Sequence, residues 1–179
     1  NIIQTNGQGT VGGIDSSVWT KWQNKFKEMT GTNLAASPSA ANAASMRADM
    51  TSLYMSCTTG KDKPDCIVMT HDFYVLYDTG IGDRARYGDE KMANDGIENL
   101  KFRNANVIFD DNANFGTTDE KAYFCCTKHL YLVQHKEAQW TTDEDKKPVN
   151  QDAVVIPMYW MGNMVCTNRD LQGILFDAA

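Results

Sequence analysis

At 179 residues the chain has the length of one ordinary domain, with room for a proper core. Its 42% hydrophobic and 22% charged residues exclude a disordered or fibrous chain, and the sequence holds neither the ~18-residue apolar run of a membrane helix nor a signal-peptide pattern. A net charge of −6 argues against general binding to nucleic acid, which needs clustered Lys and Arg to neutralise phosphates.

The five cysteines are odd in number and irregularly spaced, and the adjacent Cys125 and Cys126 cannot bridge in strand geometry. They spell no disulfide framework, and a reducing compartment fits best. The chain starts at Asn1 on a polar, glycine-rich segment, which reads as a processed product or a piece of something longer.

Gly7, Gly9 and Gly12 formally spell the G-x-G-x-x-G string of dinucleotide-binding loops. That string works by offering a free helix N-terminus to a pyrophosphate, and Asp15 would put a carboxylate in the same place. A flexible turn or hinge is the better reading, and a nucleotide-dependent enzyme built on this loop stays as the alternative of another class. Asp15, Ser16 or Ser17 then caps a predicted helix in which Trp19, Trp22, Phe26 and Met29 recur at helical spacing, with Lys21, Lys25 and Lys27 on the wet side and Gly31 as the stop. Its tryptophans are expected in the core.

Ser37 and Pro38 make a strong helix start, and the helix predicted to follow runs to about Thr58. It places Ala43, Met46, Met50, Leu53, Tyr54 and Cys57 on one stripe before Gly60. A charged turn over Lys61–Asp65 leads to a short buried strand, Cys66 to Met69, and then to a helix capped by Thr70 with Phe73, Leu76 and Tyr77 inward. Ile81 to Asn99 is a charged surface excursion. Strands are expected at Asn106 to Phe109, Ala122 to Thr127 and Leu130 to Gln134, with a charged loop over Trp140–Lys147. Helices gathered early and strands late give an α+β class with a largely antiparallel sheet.

Asn150 to Leu175 holds the longest run of strand-forming residues, and Val154, Ile156, Met158 and Trp160 share one face of it. That face is expected to be covered by the earlier helices, so Trp160→Ala is expected to cost roughly 3–5 kcal/mol. Pro157 cannot donate to a ladder and marks an edge or bulge, and Gly162-Asn163 reads as a break.

Residues fit for chemistry are scattered. Cys125 and His129 have the types of a thiol nucleophile and its base but no orienting third group. His71 and His135 stand alone, and Asp110, Asn112 and Asn114 imitate the start of a calcium loop that fails at Phe115 and Lys121. No catalytic, cofactor-binding or metal residue is assigned, and the chain reads as a non-enzyme without a cofactor.

One ordered set of short matches spans nearly the whole chain. It comprises Gly60-Lys61-Asp62-Lys63-Pro64-Asp65-Cys66-Ile67-Val68, Lys91-Met92-Ala93, Glu98-Asn99-Leu100-Lys101-Phe102, Pro148-Val149-Asn150-Gln151-Asp152-Ala153, Trp160-Met161-Gly162-Asn163, Asn168-Arg169 and Gln172-Gly173. In this succession the chain resembles the major capsid proteins of tailed bacteriophages and prophages. The resemblance implies the HK-ninety-seven-like capsid fold, shared with herpesvirus capsid floors and encapsulin shells. It implies an axial domain, a central mostly antiparallel sheet flanked by helices, over residues 36–148. Residues 1–35 and the returning strands of 149–179 would then belong to a peripheral domain.

The function implied is that of a structural subunit that self-assembles into hexameric and pentameric capsomers of an icosahedral shell. Scaffold and portal proteins are its possible partners. The shell encloses DNA without sequence-specific binding or contact with a membrane, forming in the host bacterial cytoplasm and ending in the virion. An encapsulin-like shell is the alternative within the class. Family members are longer, and the parts not present here would be the N-terminal arm, the extended loop and the spine helix, so the 179-residue chain by itself is expected to be monomeric or a small oligomer.

Overall fold

The structure, a computed structural model, describes residues 2–30, 39–81, 100–110, 120–146, 150 and 152–177. They divide into two compact units, residues 1–127 with 168–179, and residues 128–167. The class is α+β, as the order of helical and extended patterns indicates. These cuts fall at positions other than 35/36 and 148/149.

In the first unit the chain begins with a small hairpin, β1 (Thr10–Val11) and β2 (Ile14–Asp15), closed by Gly12 and Gly13 at φ of 62° and 79°. Two central residues with positive φ make the tight turn whose twist matches its strands, which is why two glycines stand there. The helix expected over the next residues does not form. Trp19 and Phe26 are exposed, a single 3-10 turn covers Thr20–Trp22, and Lys25–Glu28 is a strand, β3. Only Met29 of the expected apolar face is in the core.

Helix α1 (Ala40–Ser56) is capped by Ser39, whose side chain accepts the Asn42 N–H at 3.2 Å. Ser37 and Pro38, the expected start, lie outside the described residues. The stripe Ala43, Met46, Met50, Leu53, Tyr54 and Cys57 is buried throughout. Asp49 is also buried in α1. Its carboxylate takes the Thr30 N–H at 2.8 Å and pairs with Lys27 Nζ at 3.3 Å, fixing the end of β3 to the helix.

Strand β4 (Cys66–Met69) leads into α2 (His71–Ile81), with Phe73, Leu76 and Tyr77 inward as the periodicity requires. The Thr70 carbonyl accepts the Tyr74 N–H at 3.0 Å, so Thr70 stands at the helix entry. Its hydroxyl does something else, donating to the Glu120 carboxylate and tying the turn to the neighbouring strand. The expected surface excursion after Ile81, with its charged stretch from Asp83 to Lys91, lies outside the described residues.

Strands β5 (Leu100–Phe102), β6 (Ala105–Phe109), β7 (Glu120–Cys125) and β10 (Gly173–Asp177) complete a six-stranded sheet of order β3-β10-β7-β4-β6-β5. The sheet is mixed rather than largely antiparallel. The β3–β10 and β4–β6 pairs are parallel, and the other three are antiparallel. Parallel neighbours cannot be joined by a tight turn, so each pair encloses a long stretch of chain, and β3–β10 encloses most of the molecule.

Both helices lie against this sheet. Ile67, Met69, Val107, Ala122, Phe124 and Leu175 are buried with the helical stripes in one core. Gly173 makes the approach of α1 to β10 possible, since a Cβ there would come within 2.6 Å of Cys57 Sγ and 3.3 Å of Leu53 Cδ1. The earlier helices therefore cover β10, and the run from Val154 to Trp160 is exposed.

The chain enters β10 through two buried polar residues. Gln172 exchanges two hydrogen bonds with the Cys126 backbone, donating from Nε2 at 3.2 Å and accepting the N–H at Oε1 at 3.0 Å, and its own carbonyl takes the Lys25 N–H at 2.9 Å. Arg169 is wholly buried and donates to the Ile2 carbonyl at 2.7 Å, the Trp22 carbonyl at 2.9 Å and Asn24 Oδ1 at 2.9 Å. Arg169→Met retains the volume and leaves the part-buried Ile2 and Trp22 carbonyls without the guanidinium, while Asn24 Oδ1 keeps only the Gln4 N–H. At roughly 1.5–3 kcal/mol for each bond to a charged donor, and without full additivity, the expected loss is at least about 3 kcal/mol in urea unfolding. A loss under about 1 kcal/mol would show that Arg169 is not what holds the N-terminal segment.

Candidate functional site

The second unit, Lys128–Thr167, is a long antiparallel ribbon of β8 (Leu130–Thr142) and β9 (Met158–Cys166). At about 3.4 Å per residue, β8 is roughly 40 Å long. Its base is closed by the Thr167 N–H, which donates to the His129 carbonyl at 3.0 Å, and by contact of His129 Nδ1 with Thr167 Oγ1 at 3.0 Å. Towards the tip the ladder continues past the strands, through Asp143 N–H to the Pro157 carbonyl at 3.0 Å and reciprocal bonds of 2.9 Å between Lys146 and Val155. Pro157 thus falls just outside β9, as a residue without an N–H must. The expected break at Gly162-Asn163 does not occur, since both pair with β8, and the expected loop from Trp140 begins instead as strand to Thr142.

Alternation sorts β9 into two faces. Tyr159, Met161 and Val165 lie on one with Tyr131 and Val133 of β8, while Met158, Trp160 and Met164 lie on the other with Leu132. All of these side chains are exposed. A ribbon covered on one side alternates apolar with polar, whereas this one carries exposed apolar side chains on both faces over Tyr131–Val133 and in β9, with Gln134–Glu137 polar between. Tyr131, Trp140, Tyr159 and Trp160, at 50%, 65%, 49% and 41% exposure, by themselves leave several hundred Å² in water. Tyr131 and Tyr159 contribute to one face, and Trp160, with Trp140 beside it, to the other. Trp160, expected in a core, belongs to this surface, and its forecast stability cost falls with it.

Two devices keep the ribbon in register. The register shifts between Gln134 and Gln139 and again between Gln139 and Thr141, with Trp140 at φ 52°, which turns its ring to 6.3 Å from that of Trp160. Trp160 in turn lies over Gly162, where a Cβ would come within 2.6 Å of the indole. At the tip, Asp143 Oδ2 pairs with Lys146 Nζ at 2.9 Å. The Lys146 bond and the Glu144 N–H hold the Asp143 carboxyl below its ordinary value, and the same pair raises Lys146.

The other candidate residues are not brought into a reactive arrangement. Gly7, Gly9 and Gly12 lead into the β1–β2 hairpin and not into a helix, so the setting that the dinucleotide string requires is absent. Asp15 caps the following turn, accepting the Ser17 N–H at 2.8 Å. Cys125 ends β7 in one unit and His129 lies in the other, where its ring meets Thr167. His71 Nδ1 meets the neighbouring Asp72 Oδ1 at 3.1 Å, and His135 Nδ1 accepts the Glu137 N–H at 3.3 Å. Asn112 and Asn114 lie outside the described residues, and Asp110 donates its N–H to the Met69 carbonyl. Among the described residues no three His, Cys, Asp or Glu side chains gather as a metal site, and no helix is long and apolar enough to cross a membrane.

No protein-family model matches the chain, and no curated protein matches its sequence. The ribbon is therefore identified by its own geometry. It is an exposed apolar surface, and sequence reasoning missed it because burial was inferred from apolar character alone. The signal was there, in apolar residues on both parities of Met158–Val165, where a strand with one covered face would alternate.

Two outcomes check this description. A double-mutant cycle on Trp140→Ala and Trp160→Ala should give a coupling of about 0.5–1.5 kcal/mol in chemical denaturation, the worth of one aromatic pair. Additive losses would separate the rings. The Asp143 carboxyl should titrate below 3.8 by NMR, and Lys146→Met should move its midpoint up. Because the folded value is depressed, the tip contact is complete above the unfolded value and is lost as pH falls through the folded one. An unmoved midpoint in the Lys146 variant would remove the pair as the cause.

Proposed function

We propose that this chain is a structural subunit of an icosahedral viral capsid, of the tailed-bacteriophage type, with a mechanical rather than catalytic role. The observation that carries the reading is the ribbon of Lys128–Thr167, a two-stranded element with exposed apolar side chains on both faces, taken with the ordered resemblance from Gly60 to Gly173. A lone two-stranded ribbon is marginal in water. It gains stability by burying its faces against other surfaces, and repeated contacts between different patches of identical chains are what close rings and shells.

In this reading the six-stranded sheet with α1 and α2 is the axial domain of the HK-ninety-seven-like fold, and the ribbon is the peripheral element. Capsomers of six and five copies are the assembled form, with scaffold and portal proteins as further partners. The net charge of −6 suits a container that must not adhere to the DNA it encloses. Assembly takes place in the bacterial cytoplasm and the product is the virion.

Electron microscopy tests the proposal on the natural protein carrying this sequence, purified alone and with its scaffold. Capsomers or closed shells are expected, and protein that stays monomeric throughout overturns it. Met164→Lys and Val133→Lys charge one ribbon face each, and each should abolish assembly while leaving the far-ultraviolet circular dichroism unchanged. Normal shells from both variants would remove the ribbon from the contact.

A further inference from the structure

Cys66 and Cys125 stand opposite each other on β4 and β7, the two middle strands of the six-stranded sheet. Alternation places both on the face away from the helices, because Ile67, Met69, Ala122 and Phe124, the residues between, are buried in the helix-covered core. Both thiols are half-buried, within reach of a small reagent from solvent. The remaining three cysteines differ. Cys57, Cys126 and Cys166 are buried, and burial pushes the Cys57 thiol up to about 12.

The phase of the ladder fixes the distance between the pair. Thr70 donates its N–H to the Lys121 carbonyl at 3.0 Å, so positions two and four residues on, ending with Cys66 and Cys125, belong to the hydrogen-bonded kind. Such pairs have Cα atoms about 5.5 Å apart, inside the roughly 4.4–6.8 Å that disulfides span. Their Cβ atoms, near the ~5.5 Å end of the range for a hydrogen-bonded pair, must close by roughly 1.7 Å to reach the usual ~3.8 Å, and a bond formed under that constraint is readily reduced again. The strands are clamped at this end. Asp65 donates its N–H to the Cys125 carbonyl at 3.0 Å, and its carboxylate accepts the Thr127 N–H at 2.8 Å.

We propose that Cys66 and Cys125 are an oxidative modification site that closes into a reversible cross-strand disulfide by exchange with a small-molecule disulfide of the glutathione type. One cysteine loses its proton to solvent, and its thiolate attacks the reagent's S–S bond, forming a mixed disulfide and releasing one glutathione thiolate. The second thiolate attacks the protein sulfur of that mixed disulfide and expels the other glutathione. Two protein thiols are oxidised, one reagent disulfide is reduced to two thiols, and the protons balance. Burial, and then the Asp65 carboxylate, raise the Cys66 thiol, so the reaction is slow near neutrality and accelerates with pH. The site is independent of the capsid reading, and either can fail alone.

The test treats the folded protein with oxidised glutathione at about pH 8.5, blocks residual thiols by alkylation, and maps peptides by mass spectrometry without reduction. The expected product joins the Cys66 and Cys125 peptides with loss of two hydrogens, forms about tenfold more slowly per unit of lower pH, and disappears with dithiothreitol. In C125S the reaction should stop at a glutathione adduct on Cys66. Adducts on both cysteines of the unaltered protein without the joined peptide overturn the proposal, as do a joined peptide through Cys57, Cys126 or Cys166 and the absence of any modification at either position.

Discussion

The sheet depends on how β10 is held. A strand from the end of the chain pairs in parallel with β3 near its beginning and antiparallel with β7 in its middle, so three distant segments must arrive together. Arg169 and Gln172 supply the polar side of that meeting. The guanidinium gathers the carbonyls of Ile2 and Trp22 and the amide oxygen of Asn24, and Asn24 in turn binds the Gln4 backbone in both directions, accepting at 3.0 Å and donating at 2.8 Å. A rigid fork of donors suits several fixed acceptors better than an ammonium would. At the surface the same junction has an ion pair, Lys25 Nζ to Asp170 Oδ1 at 2.5 Å, whose half-exposed setting makes it a minor contributor.

From that junction the helix layer follows. With β10 in place, Gly173 leaves room for Cys57 and Leu53, α1 lies down on β10 and β3, and Asp49 fixes the turn after β3. Both helices take the same side. The opposite side keeps Val68, Tyr123 and Ile108 in partial contact with water and leaves Cys66 and Cys125 accessible. Helices on one face of a mixed sheet therefore explain why Cys57 is buried in the core while Cys66 and Cys125 can meet a reagent.

What was legible in the sequence was what local pattern decides. The stripe from Ala43 to Cys57, the strand Cys66–Met69 and the inward residues of α2 are each set by periodicity within one element, and the structure has them where the pattern put them. The first predicted helix failed because Trp19, Trp22, Phe26 and Met29 fit helical spacing while Lys25–Glu28 also alternates as a strand, with Lys27 partly covered and Phe26 exposed. The tie is broken by a partner strand at Gly173–Phe176, far along the chain, which no local window contains. The mixed character of the sheet was hidden for the same reason.

The ribbon was illegible for a different reason, and it leads to the most consequential feature of the molecule. Hydrophobic residues indicate that burial is favourable without indicating where it takes place. In α1 the covering surface belongs to the same unit, whereas Tyr131, Leu132, Met158, Trp160 and Met164 face outward from theirs. The backbone ladder and the Trp140–Trp160 pair set the register without covering a face, because cross-strand pairs act along the ribbon and not across it. Ordering of this element and occupation of its faces are then thermodynamically linked: whatever docks on it stabilises its folded form by mass action. The chain thus keeps its buried core in one unit and, in the other, a ribbon whose apolar side chains are exposed.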